Sequence, residues 1–276
     1  MQTLRVAGLG LVLCVIGVNA DAQSTLADLM LRHGVQVTDG AFDVAFDAYA
    51  APTVPVTPGS FATPMALLTA SSGSEQIDAA YAFGILAGRS GRAASRQELA
   101  AAGQALVVMI NSPDRRSRIA GGRVGGRLFS AAFDQAGTSP VLPPGLLDGL
   151  FALLNHDDQI EQLVAMDALG LLRETSAVSS LTERYHFYRD RNKRSLAGGA
   201  LEALARIGDP STTAIVKQLA GDRWADGRDP TALAVAYARE RMLRDGSIAL
   251  IRQALDDKSR RDQARGYLFE LGAPVP

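Results

Sequence analysis

Ala165-Met166-Asp167-Ala168-Leu169-Gly170-Leu171-Leu172 has two relatives elsewhere in the same chain. Ala79-Ala80-Tyr81-Ala82-Phe83-Gly84-Ile85-Leu86 follows it almost position for position, and Ala200-Leu201-Glu202-Ala203-Leu204-Ala205-Arg206-Ile207 is a third copy. Each copy sets small residues one helical turn apart, then a large apolar residue, then a closing aliphatic. Alanine and glycine let helix backbones approach, and the leucines fill the space between them. Self-similarity of this kind marks stacked helical units, none of which buries its apolar face alone. The expected fold class is all-α, an α–α superhelix.

Working outward from these copies, apolar residues at three- and four-residue spacing predict helices in pairs. The pairs are 61–70 with 75–88, 97–111 with 114–129, 143–155 with 158–173, 176–189 with 193–207, 211–220 with 230–244, and 247–256 with 259–271. Leu86, Leu128, Leu172, Ile207, Leu243 and Leu271 close successive units. Loops at Gly88–Ser95 and Gly137–Pro144 account for the longer early intervals. Six pairs exceed the roughly three that such an array needs to hold together.

The segment before residue 61 reads differently. Arg5, the apolar run Val6–Val18 and the small residues of Ala20-Asp21-Ala22 fit a secretory signal cleaved after Ala22. The run is short for a bilayer core of about 30 Å, so no stable membrane span is expected after cleavage. The competing reading is a buried N-terminal helix. Cys14, the only cysteine, lies within the run. A chain starting at Gln23 then has no thiol, which excludes disulfides, thiol catalysis and thiolate metal sites. These features predict an exported protein, periplasmic or secreted. A formal charge of -1 gives no global field for nucleic acid or anionic lipid. Residues 23–60 form a separate N-terminal segment. Leu26, Leu29 and Met30 suit a short helix ending at His33-Gly34. Val35 to Phe46 fits either a tight hairpin about Asp39-Gly40 or a continuing helix. Pro52, Pro55, Pro58 and Gly59 read as a connector. The repeat domain is expected over 61–276.

Three further stretches carry a family resemblance. Ile110-Asn111-Ser112-Pro113-Asp114-Arg115-Arg116-Ser117-Arg118-Ile119-Ala120 is similar to an inter-helix turn and the start of a second helix in HEAT repeats. Ala203-Leu204-Ala205-Arg206-Ile207-Gly208-Asp209-Pro210 is similar to a unit boundary, and Leu271-Gly272-Ala273-Pro274 echoes it. The units most resemble the short HEAT-like repeats of phycobilin lyase subunits. The resemblance implies a helical array used as a binding surface, with turn aspartates and second-helix arginines paired along it. Arg118 and Arg261 fit the arginine position, but Gln162 and Ala197 occupy it in the middle units, and Asn111 and Asn155 stand where a turn acid is common. An incomplete ladder implies more reliance on apolar packing. Some relatives of this type are lyases, and others are hydroxylases using paired His-Glu metal ligands. This chain has no His-Glu pair, and bilin chemistry suits an exported protein poorly.

His156-Asp157-Asp158 with Glu161 is the densest group of potential cation ligands, but Asp158 capping a helix with Glu161 completing a capping box is the better account. Gly121-Gly122 and Gly125-Gly126 fit no phosphate loop and read as a close helix crossing. No Ser-His-acid spacing or nucleophile elbow occurs, and His33, His156 and His186 are far apart. In Tyr185-His186-Phe187-Tyr188, the stripe Val178, Leu181, Tyr185 and Tyr188 belongs to the core. His186 and Phe187 fall off it beside Arg189, Arg191, Lys193 and Arg194. Exposed aromatics and arginines dominate binding hot spots. Trp224, the only tryptophan, either anchors its polar loop or faces a ligand. Arg115, Arg116, Arg118, Arg123 and Arg127 fall on one predicted helix, with Arg116, Arg123 and Arg127 on one face that is either solvated or internally paired, an acidic protein or anionic envelope glycan being the functional alternative. The sequence therefore predicts a noncatalytic scaffold or adaptor of the bacterial envelope that binds a protein. Its candidate contacts are Phe187, Arg189, Arg194 and Trp224, with no catalytic, metal or cofactor residues. An accessory enzyme or maturation factor on the same array, or a structural envelope component, are the alternatives.

Overall fold

The computed structural model describes residues 36–37, 42–43, 61–89, 94–130, 141–221, 224 and 231–275. The expected signal at 1–22, its cleavage site, the helix ending at Gly34 and the proline connector lie outside the described residues. Of the 35–46 stretch only residues 36–37 and 42–43 are described, and they pair. Strand β1 (Gln36–Val37) pairs antiparallel with β2 (Phe42–Asp43), Val37 opposite Phe42.

Every other described element is helical. The helices are α1 (Ala62–Ala70), α2 (Gly73–Arg89), α3 (Arg96–Ile110), α4 (Arg115–Leu128), α5 (Leu146–Leu154), α6 (Gln159–Leu171), α7 (Val178–Asp190), α8 (Arg194–Ile207), α9 (Thr213–Gln218), α10 (Ala232–Leu243), α11 (Ile248–Gln253) and α12 (Arg261–Glu270). They coincide with the twelve expected from the apolar spacing. Single 3-10 turns precede α7 and follow α11, and they flank α9 on both sides.

The chain divides into two compact units. The first holds the described residues through Leu128 together with Val141–Gly149; the second holds Phe129, Ser130 and the described residues from Leu150 onward. The division thus falls inside the stretch read as one repeat domain. In the first unit α1 packs on α2 and α3 on α4, while α2 also packs on α4 and α1 on α3. Phe61, Leu68, Tyr81, Phe83, Leu106 and Ile119 are fully buried between them, with Phe61 edge-on to Phe83 at 5.5 Å. Gly121 lies where α4 crosses α3. A Cβ there would stand 2.9 Å from the Leu106 carbonyl and the Ile110 nitrogen, so the crossing requires glycine.

In the second unit the second helices of successive pairs pack on one another, α6 on α8 and α8 on α10. The first helices lie against them, α7 on α8, and α9 and α11 on α10. The repeated octapeptides are the reason. Ala165, Ala168 and Leu169 of α6 and Ala200, Ala203 and Leu204 of α8 are buried, as are Ala79, Ala82 and Phe83 of α2 in the first unit. At Gly170 α6 comes close to α8, since a Cβ on it would sit 2.7 Å from the Ala203 Cα.

The turns obey one local rule. Asn111 and Asn155 each donate a side-chain amide to the carbonyl four residues back, Val107 and Phe151, closing α3 and α5. Asp114 then accepts from the Ser117 N–H, and Asp158 from Ile160 and Glu161, so each caps the following helix. Four residues after each aspartate, a side chain reaches back six residues to a turn carbonyl: Arg118 to Ser112 and Gln162 to His156. Arg261, four residues after Asp257, does the same to Leu255. The acids of these turns are thus Asp114, Asp158 and Asp257, and each bonds groups two or three residues further on in its own turn. At Gln162 the amide makes the hydrogen bond that arginine makes in the other two turns, without the charge.

Candidate functional site

The α7–α8 corner is set by opposite demands on neighbouring residues. Leu181, Tyr185 and Tyr188 are buried, which turns His186 and Phe187 outward. The Tyr188 hydroxyl donates to Gln162 Oε1 at 2.9 Å and accepts from Arg184 Nη1 at 3.1 Å, while Arg184 Nη2 donates to Asn155 Oδ1 at 2.8 Å. This network pins the outer helix to the preceding turn. Asn192 closes α7 in the left-handed conformation, φ 54°, and the Lys193 N–H returns to the Tyr188 carbonyl at 2.9 Å.

On this fixed corner Phe187 is 45% exposed. The Arg191 guanidinium lies over its ring, 3.7 Å from the centroid, and Tyr188 supports it edge-on at 5.4 Å. Arg194 Nε approaches Asn192 Oδ1 at 3.4 Å, and Lys193 is exposed between them. Arg189 takes a different direction, with its guanidinium 5.9 Å from the Trp224 ring centroid. Trp224 itself is 1% exposed. Of the four predicted contact residues, Phe187 is half exposed and Arg194 partly so. Trp224 is corrected to a loop anchor, with Arg189 over it. Arg191 was named in the sequence only as a neighbour; a cation four residues after an exposed aromatic on one helix was the available signal.

The His156 group also resolves. His156 Nδ1 pairs with the buried Glu161 carboxylate, while Asp158 caps α6 as expected. Among the described residues no three His, Cys, Asp or Glu side chains converge in a metal-holding arrangement.

Sequence reasoning missed the most elaborate polar cluster. Arg206, on the buried side of α8, donates to Asp167 of α6 at 2.7 Å and in fork fashion to Glu270 of α12 at 2.9 and 3.0 Å. Glu202, one turn earlier, accepts from the Tyr267 hydroxyl, and the Tyr237 hydroxyl donates to Glu270 at 2.6 Å. The two phenol rings stack at 4.4 Å. Burial acts to lower the Arg206 pKa, but Asp167, Glu270 and Glu202 together hold it well above the ordinary value. Burial pushes the Glu202 carboxyl up, against the attraction of Arg206. Burial likewise raises the Tyr237 and Tyr267 phenols. The cluster ties four helices together, α6, α8, α10 and α12, with the Arg206 guanidinium at its centre.

The chain matches no protein-family model, no curated protein and no solved structure.

Proposed function

We propose that this chain is an exported, HEAT-like array of helix pairs that acts as a noncatalytic scaffold, binding a protein partner at the α7–α8 corner. The reading rests on one observation: Phe187 is held half out of the surface with Arg191 stacked on it. An apolar ring normally gains by burial, roughly 25 cal/mol for each Å² removed from water. Here a rigid corner holds the ring outward, with its face covered by a cation and basic residues around it. Aromatic–arginine pairs on fixed backbone are effective anchors because little conformational entropy is lost when a partner covers them.

The array reading is supported by second helices packing in series through small residues, and by the recurrent turn. Export is supported by the Arg5 to Ala22 pattern, with Gln23 as the mature N-terminus. The partner is a protein with an apolar pocket and an acidic rim, complementary to Phe187, Arg191, Lys193 and Arg194.

Placing a photo-cross-linking residue at position 187 in the native host tests the reading. The expected result is one discrete adduct of the exported protein, lost on Arg191→Ala and unaffected by a substitution at Arg116 on α4. A cytoplasmic product retaining residues 1–22, or an adduct pattern indifferent to Arg191, overturns it.

A further inference from the structure

A second feature of the second unit is independent of that corner. The C-terminal ends of α6, α8, α10 and α12 surround an open cavity of about 570 Å³. Two of these ends close as helices usually do, with glycine in the left-handed region: Gly208 at φ 71° and Gly272 at φ 69°. The other two close with arginine, Arg173 at φ 53° and Arg244 at φ 52°. The hydrogen bonds match in pairs. Arg173 and Gly272 each sit under a bond from the next residue to the carbonyl five back, whereas Gly208 and Arg244 each donate to the carbonyl four back. Glycine adopts this backbone without strain and a side-chain-bearing residue does not. Only three described residues other than glycine have a positive φ, and two of them are these arginines, both lining this cavity.

Charge separates them from their neighbours. Arg206 is committed to Asp167 and Glu270, and Arg241 donates to the carbonyls of Ala205 and Glu270 at 2.9 and 3.2 Å. Glu240 is occupied by the Gly246 and Ile248 N–H groups at 3.1 Å each. Arg173 and Arg244 are exposed, and their side chains have no hydrogen-bond or ion-pair partner among the described residues. A cation near a helix C-terminus is favoured by the helix dipole. That accounts for a basic residue near each end, but not for placing it at the one position where glycine is better.

We propose that this cavity binds a small organic oxyanion, its carboxylate or phosphate group held between Arg173 and Arg244 and its carbon skeleton against Ile207, Ile248 and Leu271. A guanidinium fork matches both groups in geometry, and the volume falls in the range of about 300–1,000 Å³ usual for small-molecule sites.

Glycine supplies a test in which folding and binding separate. The protein as its host produces it is titrated with glutarate, glycerol phosphate and inorganic phosphate, by calorimetry and by thermal unfolding, at ionic strength held constant with sodium chloride. The expected result is saturable heat and a raised Tm with at least one probe. Glutarate alone identifies a carboxylate ligand, and glycerol phosphate or phosphate a phosphate-bearing one. Arg173→Gly and Arg244→Gly should each weaken binding by about tenfold or more. The double variant should keep or exceed the wild-type Tm without probe and show no saturation. The proposal is overturned if no probe saturates the wild type, if the response follows ionic strength alone, or if the double-glycine variant binds as tightly.

Discussion

Gln162 performs with an amide what Arg118 and Arg261 perform with a guanidinium, reaching back to a carbonyl six residues earlier. The difference lies on its other side. Its Oε1 accepts the Tyr188 hydroxyl proton, and a guanidinium has no acceptor to offer. Arg184 stands next to the same hydroxyl, so a second cation there would also be repelled. Gln162→Leu should therefore strand a buried phenol and a turn carbonyl, costing about 1–3 kcal/mol in urea unfolding. Gln162→Arg should be destabilising as well, although it restores the residue type of the other units. The asparagines follow the same logic. Asn111 and Asn155 donate to the carbonyls that end their helices, which a carboxylate cannot do and which would place negative charge at a helix C-terminus. The identity of these residues was plain in the sequence. Their role was not, because it depends on which carbonyl the turn brings within reach.

At the scale of the helix, period and small-residue spacing located all twelve α-helices, because each buries one stripe and the stripe leaves its spacing in the chain. Gly170 shows how much one atom matters. In an isolated helix Gly170→Ala would gain about 1 kcal/mol of helix propensity. Here the added carbon would stand 2.7 Å from the Ala203 Cα, a backbone atom that moves only if α8 moves. Overpacking of about 1–3 kcal/mol should win, giving a net loss in thermal or urea unfolding. Leu169, fully buried beside it, should cost about 2–5 kcal/mol on truncation to alanine, through the cavity left behind. Trp224 marks the other limit of reading by element. A tryptophan in a loop of charged residues suggested either an anchor or a contact, and only its burial decided between them.

Across the molecule, ionic ties connect residues far apart in sequence, and pH is the measurement that reaches them. The hydroxyls of Ser259 and Ser211 draw Asp257 down to about 2 and Asp209 below its usual value. Burial opposes the shift at Asp245, but the Ser247 hydroxyl and Arg239 still bring it down. A carboxyl depressed in the folded state stabilises it fully above the unfolded value of about 3.9, and that stability is lost as pH falls through the folded value. Urea midpoints should thus fall between about pH 4 and about pH 2, with Ser259→Ala reducing the slope. Glu202 runs the other way. Its raised folded value means that its contribution is largest at low pH and declines as pH rises through that value. Arg206→Met would leave Asp167, Glu202 and Glu270 without their shared cation, costing about 3–5 kcal/mol at neutral pH. The deficit should shrink on acidification as Glu202, whose carboxyl burial pushes up, protonates.

The sequence by itself determined the helical class and the buried faces, because these depend on apolar spacing within one helix. It also carried the pattern of a secretory leader, which is a property of composition. Tertiary structure alone decided that Arg206 meets Glu270 across 64 positions, that Trp224 turns inward, and that Arg173 and Arg244 border one cavity. Such meetings follow from how helix ends converge in space, and no local periodicity records that.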